Sequence, residues 1–257
     1  MGANVSKLRA AIAADPGEYF REPGATRFAN TLETLIEHAP PPASVLDIGG
    51  DRSGWEEREP ADRMPYSFGR FFRMAGYGYA SVNELDLDAR SEILPFPANT
   101  FDIVTAWETI EHLWTLEPGG LLGWRGILNF WIEAHRVVKP GGLFFVATRN
   151  RSCPFAWARL ADGFSAGMYC AELGADGRPG HAREFTADEL RALARITGTF
   201  PAPVTLSRSS LIPGAEARAR AVRPAVERFL GRGLRPDELG DSIYFLGRKA
   251  GLNDCLK

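Results

Sequence analysis

Four groups of residues in this chain have the types and spacing of a chemical site. The first is Val45-Leu46-Asp47-Ile48-Gly49-Gly50-Asp51, an apolar run that enters a glycine turn. Such a turn lets the backbone come close to a ligand, and a neighbouring carboxylate can fix the ligand's orientation. The second is the acidic series Glu84, Asp86 and Asp88, followed by Ala89. In dinucleotide-type sites an acidic residue after the second strand accepts hydrogen bonds from both ribose hydroxyls. The third is Trp107-Glu108-Thr109-Ile110-Glu111-His112. An aromatic face and carboxylates favour a nearby cation. The unperturbed pKa of a histidine lies near neutrality, so His112 suits a general base, although the same Glu-His pair can simply brace its loop. The fourth is Arg149-Asn150-Arg151, then Tyr169, His181 and Arg183. Tyr169 or His181 can take a proton from a hydroxyl, and His181 with Arg183 can equally cap the helix that follows.

These residues need a scaffold, and the surrounding pattern supplies one. Phe101–Ala106 reads as a buried strand, and Leu143–Thr148 as a second. Between them Ile127, Phe130, Trp131, Ala134, Val137 and Val138 recur at helical spacing before Pro140-Gly141-Gly142. Strand, helix and strand in that order form a βαβ crossover, which builds a parallel sheet covered on both faces. Ser44–Ile48 and Tyr79–Leu85 read as further strands, Pro203–Ser207 and Ser242–Leu246 as the last two. Helical spacing covers residues 5–38, a shorter helix lies near 67–75, and residues 214–230 form an Ala/Arg-rich helix. Thr186-Ala187-Asp188-Glu189 has the pattern of a capping box opening a helix to about Ile196. The candidate residues fall at the carboxyl ends of the strands, where open α/β sheets bind ligands.

The run LPFPANTFDIVTAWETIEHL, followed by RVVKPGG and LFFVAT, resembles the class I S-adenosylmethionine-dependent methyltransferases. That family shows LPFxDxSFDxV, xExxEHL and RVLKPGG in this order. The resemblance implies an α/β fold with a doubly wound, mostly parallel sheet of Rossmann-like type and an antiparallel last strand. It implies S-adenosylmethionine as cofactor, with Asp47, Gly49, Gly50 and Asp51 in the glycine turn. Glu84 or Asp86 would hold the ribose, Asp88 and Ala89 would lie near the adenine, and Trp107 and Glu108 would face the sulfonium. The family's D-x-G-x-G-x-G is altered here, with Asp51 and Ser53 at the second and third glycine positions and Gly54 one residue beyond. The interval from Glu84 to the LPFP run is short, so the second helix and third strand are compressed. A subgroup often met in surface-polysaccharide gene clusters shows the same compression, together with TPN and HxREYT runs that Arg149-Asn150 and His181–Thr186 resemble. By that resemblance residues 149–185 form a substrate-side insert, and His181, Tyr169 and His112 are the candidate proton acceptors.

Composition narrows the function classes. The net charge of −2 provides no basic field for nucleic acid. No apolar run reaches the length of a membrane span. The three cysteines, Cys153, Cys170 and Cys255, are far apart and show no metal-ligand spacing, so the expectation is a reduced cytoplasmic setting without metal. Arg greatly outnumbers Lys, a balance that reads as bacterial composition. Met1-Gly2-Ala3-Asn4-Val5-Ser6 matches a myristoylation pattern that is short enough to arise by chance.

The expectation is therefore a single domain over residues 1–257, with an N-terminal helical region over 1–42. It transfers a methyl group to an oxygen or nitrogen of a sugar, glycan or small metabolite. The alternative is a methyltransferase-fold protein without catalysis, acting as a binding or scaffold subunit, which the altered glycine motif and the Trp-rich insert permit. A nicotinamide oxidoreductase fits poorly, because the turn lacks G-x-G-x-x-G.

Overall fold

The computed structural model describes residues 2–15, 23–50, 68–82, 87–117, 121–161 and 184–251. Asp51, Glu84, Asp86, Tyr169, His181 and Arg183 lie outside the described residues, as do Gly54, Cys170 and Cys255.

Six strands form one sheet: β1 (Ser44–Ile48), β2 (Gly78–Val82), β3 (Phe101–Trp107), β6 (Val138–Arg149), β7 (Val204–Arg208) and β8 (Ser242–Arg248). Their order is β2-β1-β3-β6-β8-β7. The first four are parallel; β8 runs antiparallel to β6, and β7 antiparallel to β8. β4 (Thr115–Glu117) and β5 (Leu121–Gly123) make a separate antiparallel ribbon.

The period of two sorts the strands' side chains onto two faces. Val104 and Ala106 of β3, with Phe144 and Val146 of β6, face one core. That core is covered by α4 (Arg125–Val137) and α6 (Ala187–Thr197) through Phe130, Trp131, Leu190 and Leu193. Ile103 and Trp107 of β3, with Phe145 of β6, face the other. There α1 (Gly2–Ala13), α2 (Gly24–His38) and α3 (Phe68–Ala75) pack through Ile12, Phe28, Leu32 and Phe72. The remaining helices, α5 (Pro154–Ala161) and α7 (Pro213–Leu230), pack on each other.

Several boundaries differ from the sequence reading for local reasons. Among the described residues the helical pattern over 5–38 is two helices: α1 ends at Ala13, and α2 starts after its N-cap Pro23. β6 begins at Val138, five residues earlier than expected. Val138 pairs with Phe101 and Leu143 with Ile103, so Lys139–Gly142 loops out of the ladder, helped by Gly141 at φ 76°. β2 is described over Gly78–Val82, and the remainder of the expected strand, to Leu85, lies outside the described residues. Among the described residues no helix or strand lies between β2 and β3, as the compressed spacing implied. Trp114 and Trp124 of the Trp-rich insert pack together: their rings are 4.7 Å apart, and Trp114 stacks on Phe185 at 5.7 Å.

The amino ends of the strands are tied by charge. Asp102 accepts from the Ser44 N–H (2.9 Å) and hydroxyl (2.6 Å) and from Lys139 Nζ (2.7 Å). These bonds hold its carboxyl down to about 2. Helix α6 starts with the capping box read from the sequence: Thr186 Oγ1 accepts from the Glu189 N–H, and Glu189 accepts from the Thr186 N–H. Thr186→Ala is expected to lower stability by about 1 kcal/mol. Trp131 is fully buried and donates to Thr199 Oγ1 at 2.9 Å; Trp131→Ala is expected to cost about 3–5 kcal/mol. Urea unfolding reads both as midpoint shifts at constant slope. A Thr186→Ala midpoint equal to the parent's would remove the cap from the account.

Candidate active site

The turn after β1 is built around a buried carboxylate. Asp47 is 1% exposed, and Tyr79 donates its hydroxyl proton to Asp47 Oδ2 at 3.0 Å. Gly50 lies so close that a Cβ there would meet Asp47 Oδ2 at 2.2 Å and the Tyr79 hydroxyl at 2.7 Å. Gly49 sits at φ 85° and donates its N–H to the Val82 carbonyl at 2.7 Å. A Cβ on Gly49 would meet Thr109 Oγ1 at 2.3 Å. Thr109 Oγ1 in turn lies 3.1 Å from the carbonyls of both Ile48 and Trp107. The carboxyl ends of β1 and β3 are therefore stitched through one threonine, with glycine obligatory on the other side. In strand order the chain passes from β1 to β2 on one side and to β3 on the other, which makes this the topological switch point of the sheet.

At the end of β3, Trp107 is packed among Phe28 (4.8 Å), Phe72 (4.9 Å) and Phe68 (6.0 Å), on the α1–α3 side. Its indole N–H is buried and has no hydrogen-bond partner. Glu108 follows at φ 50°, a left-handed backbone conformation that non-glycine residues rarely adopt. Its Oε2 accepts from Arg149 Nε at 2.8 Å and lies 3.8 Å from Arg27 Nη1, while its buried Oε1 accepts no hydrogen bond among the described residues. Glu111 lies fully buried on the short 3₁₀ turn Ile110–His112 and accepts from Thr148 Oγ1 at 2.9 Å. Burial, and then the charge of Glu108, push its carboxyl up to about 8. His112 is half-buried on the same turn.

Arg149, the last residue of β6, gathers carboxylates. Burial opposes its charge, but Glu108, Asp241 and Glu184 together hold it protonated. Glu184 is raised by burial, against the pull of Arg149 and Arg159. The bridge between Asn150 and Phe185 brings Glu184 back to this strand end.

The structure thus brings Asp47, Gly49, Gly50, Trp107, Glu108 and His112 to adjoining strand ends. Asp88 and Ala89 stand on a separate turn. Arg90 holds the Asp88 carboxylate at 2.9 and 3.0 Å, and Asn129 of α4 donates to the Ala89 carbonyl at 3.2 Å. Sequence reasoning passed over Tyr79, Arg27 and Glu184 as site residues. Tyr79 lay inside a strand read only for its apolarity, and Arg27 inside a helix read only for its stripe. Glu184 could have been found as a carboxylate directly before a capping box. Cys153 is buried, and its thiol is pushed up to about 12, so it is inert at neutral pH. Among the described residues no group of three or more His, Cys, Asp or Glu could hold a metal, and no helix is long and apolar enough to cross a membrane.

A mostly parallel α/β sheet with a glycine turn at its switch point is the arrangement in which open α/β folds bind ligands. The family model for the methyltransferase domain matches residues 20–198, most of the chain, and this protein belongs to that family. Over 105 residues it is 32% identical to a "Probable S-adenosylmethionine-dependent methyltransferase" of Mycolicibacterium smegmatis. That stretch is 41% of this chain and 31% of the relative, so the match spans about a third of that protein. Among solved structures, a SAM-dependent methyltransferase from Archaeoglobus fulgidus is similar at 12% identity, over 86% of this chain and 94% of that one, with a TM-score of 0.48. Another from Thermotoga maritima is 19% identical, over 87% and 90%, with a TM-score of 0.46. S-adenosylmethionine is the cofactor that membership of this family assigns to the chain.

Glu111 carries a pH signature. Its carboxyl ionises near 4.5 in the unfolded chain and near 8 in the folded one. Between those values the unfolded state binds fewer protons, so this group lowers stability as pH rises and adds nothing further above about 8. Glu111→Gln is expected to flatten the fall in stability from about pH 5 to 8 and to exceed the parent's stability at the upper end. Denaturant midpoints across that range read it, and an equally steep fall in the variant would assign the effect to another group.

Proposed function

We propose that this protein transfers the methyl group of S-adenosylmethionine to an oxygen or nitrogen of a sugar, glycan or small metabolite. The observation that carries the reading is the cradle at Asp47–Gly50. No Cβ fits at either glycine, and a buried carboxylate held by Tyr79 stands beneath the turn. Gly49 is exposed while Gly50 packs on Asp47 and Tyr79, and a glycine turn of this kind at a switch point suits a nucleoside-containing cofactor.

In this reading Asp47, Gly49, Gly50 and Asp51 hold the cofactor from the β1 side. Glu84 or Asp86 takes the ribose, and Asp88 and Ala89 border the adenine. Trp107 and Glu108 lie toward the sulfonium. Glu108 is suited to a cationic neighbour, because its Oε2 is committed to Arg149 while its buried Oε1 is not hydrogen-bonded. The bound cofactor supplies a methyl group activated on a sulfonium, which an in-line nucleophile displaces. The protein's share of the rate then comes largely from positioning and from fixed charges. His181, Tyr169 and His112 are the candidate acceptors for the proton that the nucleophile gives up. The absence of a helix or strand between β2 and β3 among the described residues supports the subgroup associated with surface polysaccharides, and with it a glycan acceptor.

Calorimetric titration with S-adenosylmethionine and S-adenosylhomocysteine tests the cofactor site. Micromolar binding is expected, weakened at least about tenfold by Asp47→Ala and by Gly50→Ala, with circular dichroism unchanged. A folded parent that binds neither compound would sink the reading in favour of a scaffold. Transfer of labelled methyl to glycan and metabolite acceptors would then identify the substrate of a binding-competent protein.

A further inference from the structure

Two guanidiniums meet at the carboxyl end of β6. Arg27 of α2 and Arg149 of β6 both approach Glu108 Oε2, at 3.8 and 2.8 Å. Each carries a fork of N–H donors. Among the described residues they make one side-chain hydrogen bond between them, from Arg149 Nε. The Arg27 side chain is only 9% exposed and makes none; its Nε is sealed from solvent without a partner. Its contacts with Glu108 and Asp241, at 3.8 and 3.7 Å, lie beyond hydrogen-bonding reach. Burying a guanidinium without hydrogen bonds is costly, and native proteins seldom leave such a group unsatisfied.

The neighbouring carboxylates do not complete the site. Asp241 already accepts from the Ser210 N–H at 2.6 Å and hydroxyl at 2.7 Å. Glu108 Oε2 is taken by Arg149, and Glu184 lies 3.8 Å from Arg159. Burial, and then the charge of Glu108, push the Glu111 carboxyl up and so favour its neutral form. The donors left over are those of Arg27 and the two Nη atoms of Arg149, whose side chain is 32% exposed. Planar forks of this kind match a carboxylate or phosphate.

We propose that Arg27 and Arg149 together bind an oxyanion, a carboxylate or phosphate, carried by the methyl acceptor, so that the substrate is an acidic sugar or metabolite. This rests on the methyl-transfer reading. The acceptor is preferred over the cofactor's own carboxylate as the source because of place. The pair stands at the ends of β6 and α2, beside the Asp241 loop that enters β8, whereas the glycine cradle belongs to β1. Arg149 is also joined through the Asn150–Phe185 bridge to the segment that closes the substrate-side insert.

Titration of the S-adenosylhomocysteine-saturated protein with D-glucuronate, glucose 1-phosphate and inorganic phosphate tests this, with D-glucose as the neutral control. At least one oxyanion is expected to bind about tenfold or more tightly than glucose. Arg27→Gln and Arg149→Gln are each expected to erase that preference while S-adenosylhomocysteine affinity stays within about threefold. Arg27→Lys and Arg149→Lys keep the charge, remove the fork and guard against misfolding; each is expected to lower oxyanion affinity about threefold or more. No preference over glucose, or a preference unchanged in both glutamine variants, overturns the proposal. A parallel loss of S-adenosylhomocysteine affinity assigns the pair to the cofactor's carboxylate and overturns it as well. If the parent does not bind S-adenosylhomocysteine, the methyl-transfer reading fails separately, and the same titrations without cofactor decide the oxyanion site alone.

Discussion

The close approach of β1 to β3 at their carboxyl ends governs the rest of the molecule. Thr109 reaches across to the Ile48 carbonyl and touches the space where a side chain at position 49 would stand. With Gly49 in a positive-φ conformation, the chain can turn out of the sheet there while Asp47 stays buried beneath it. The parallel arrangement demands both faces covered, and α1 to α3 on one side and α4 and α6 on the other supply that cover. The carboxyl ends of the strands are where an open sheet of this kind binds ligands.

A second constraint is electrostatic. Glu108, Glu111, Glu184 and Asp241, mostly buried, converge with the buried Arg27 and the partly exposed Arg149 and Arg159. Charges so placed are tolerated only when paired, hydrogen-bonded or neutralised. The protein uses all three routes: Arg149 pairs with Glu108, Asp241 is hydrogen-bonded by Ser210, and burial favours the neutral form of Glu111. The left-handed backbone of Glu108 belongs to the same region, and strain of this kind clusters where ligands bind. Arg27 fits none of the three routes fully, which is why it points beyond the chain.

Much of this could be read in the residues themselves. The βαβ unit from Phe101 to Thr148, the capping box at Thr186 and the glycine turn after β1 follow from local rules: apolar periodicity, side-chain capping and freedom at positive φ. These rules act over a few residues, so they survive in a one-dimensional reading. The compression between β2 and β3 was legible as a short interval between two recognisable patterns.

What tertiary structure decided lies at long range. Arg27 and Arg149 are separated by more of the chain than any motif spans, and only the docking of α2 over β3 and β6 brings both to Glu108. Tyr79 meets Asp47 because β2 and β1 are neighbours in parallel register. The packing of Trp114 and Trp124 required Phe185 from beyond the insert. The sequence by itself determined the elements, their class and the family, because periodicity and turn chemistry are local. The structure decided which charges share a carboxylate and which are left with donors to spare, because burial and pairing depend on what the fold carries in from elsewhere.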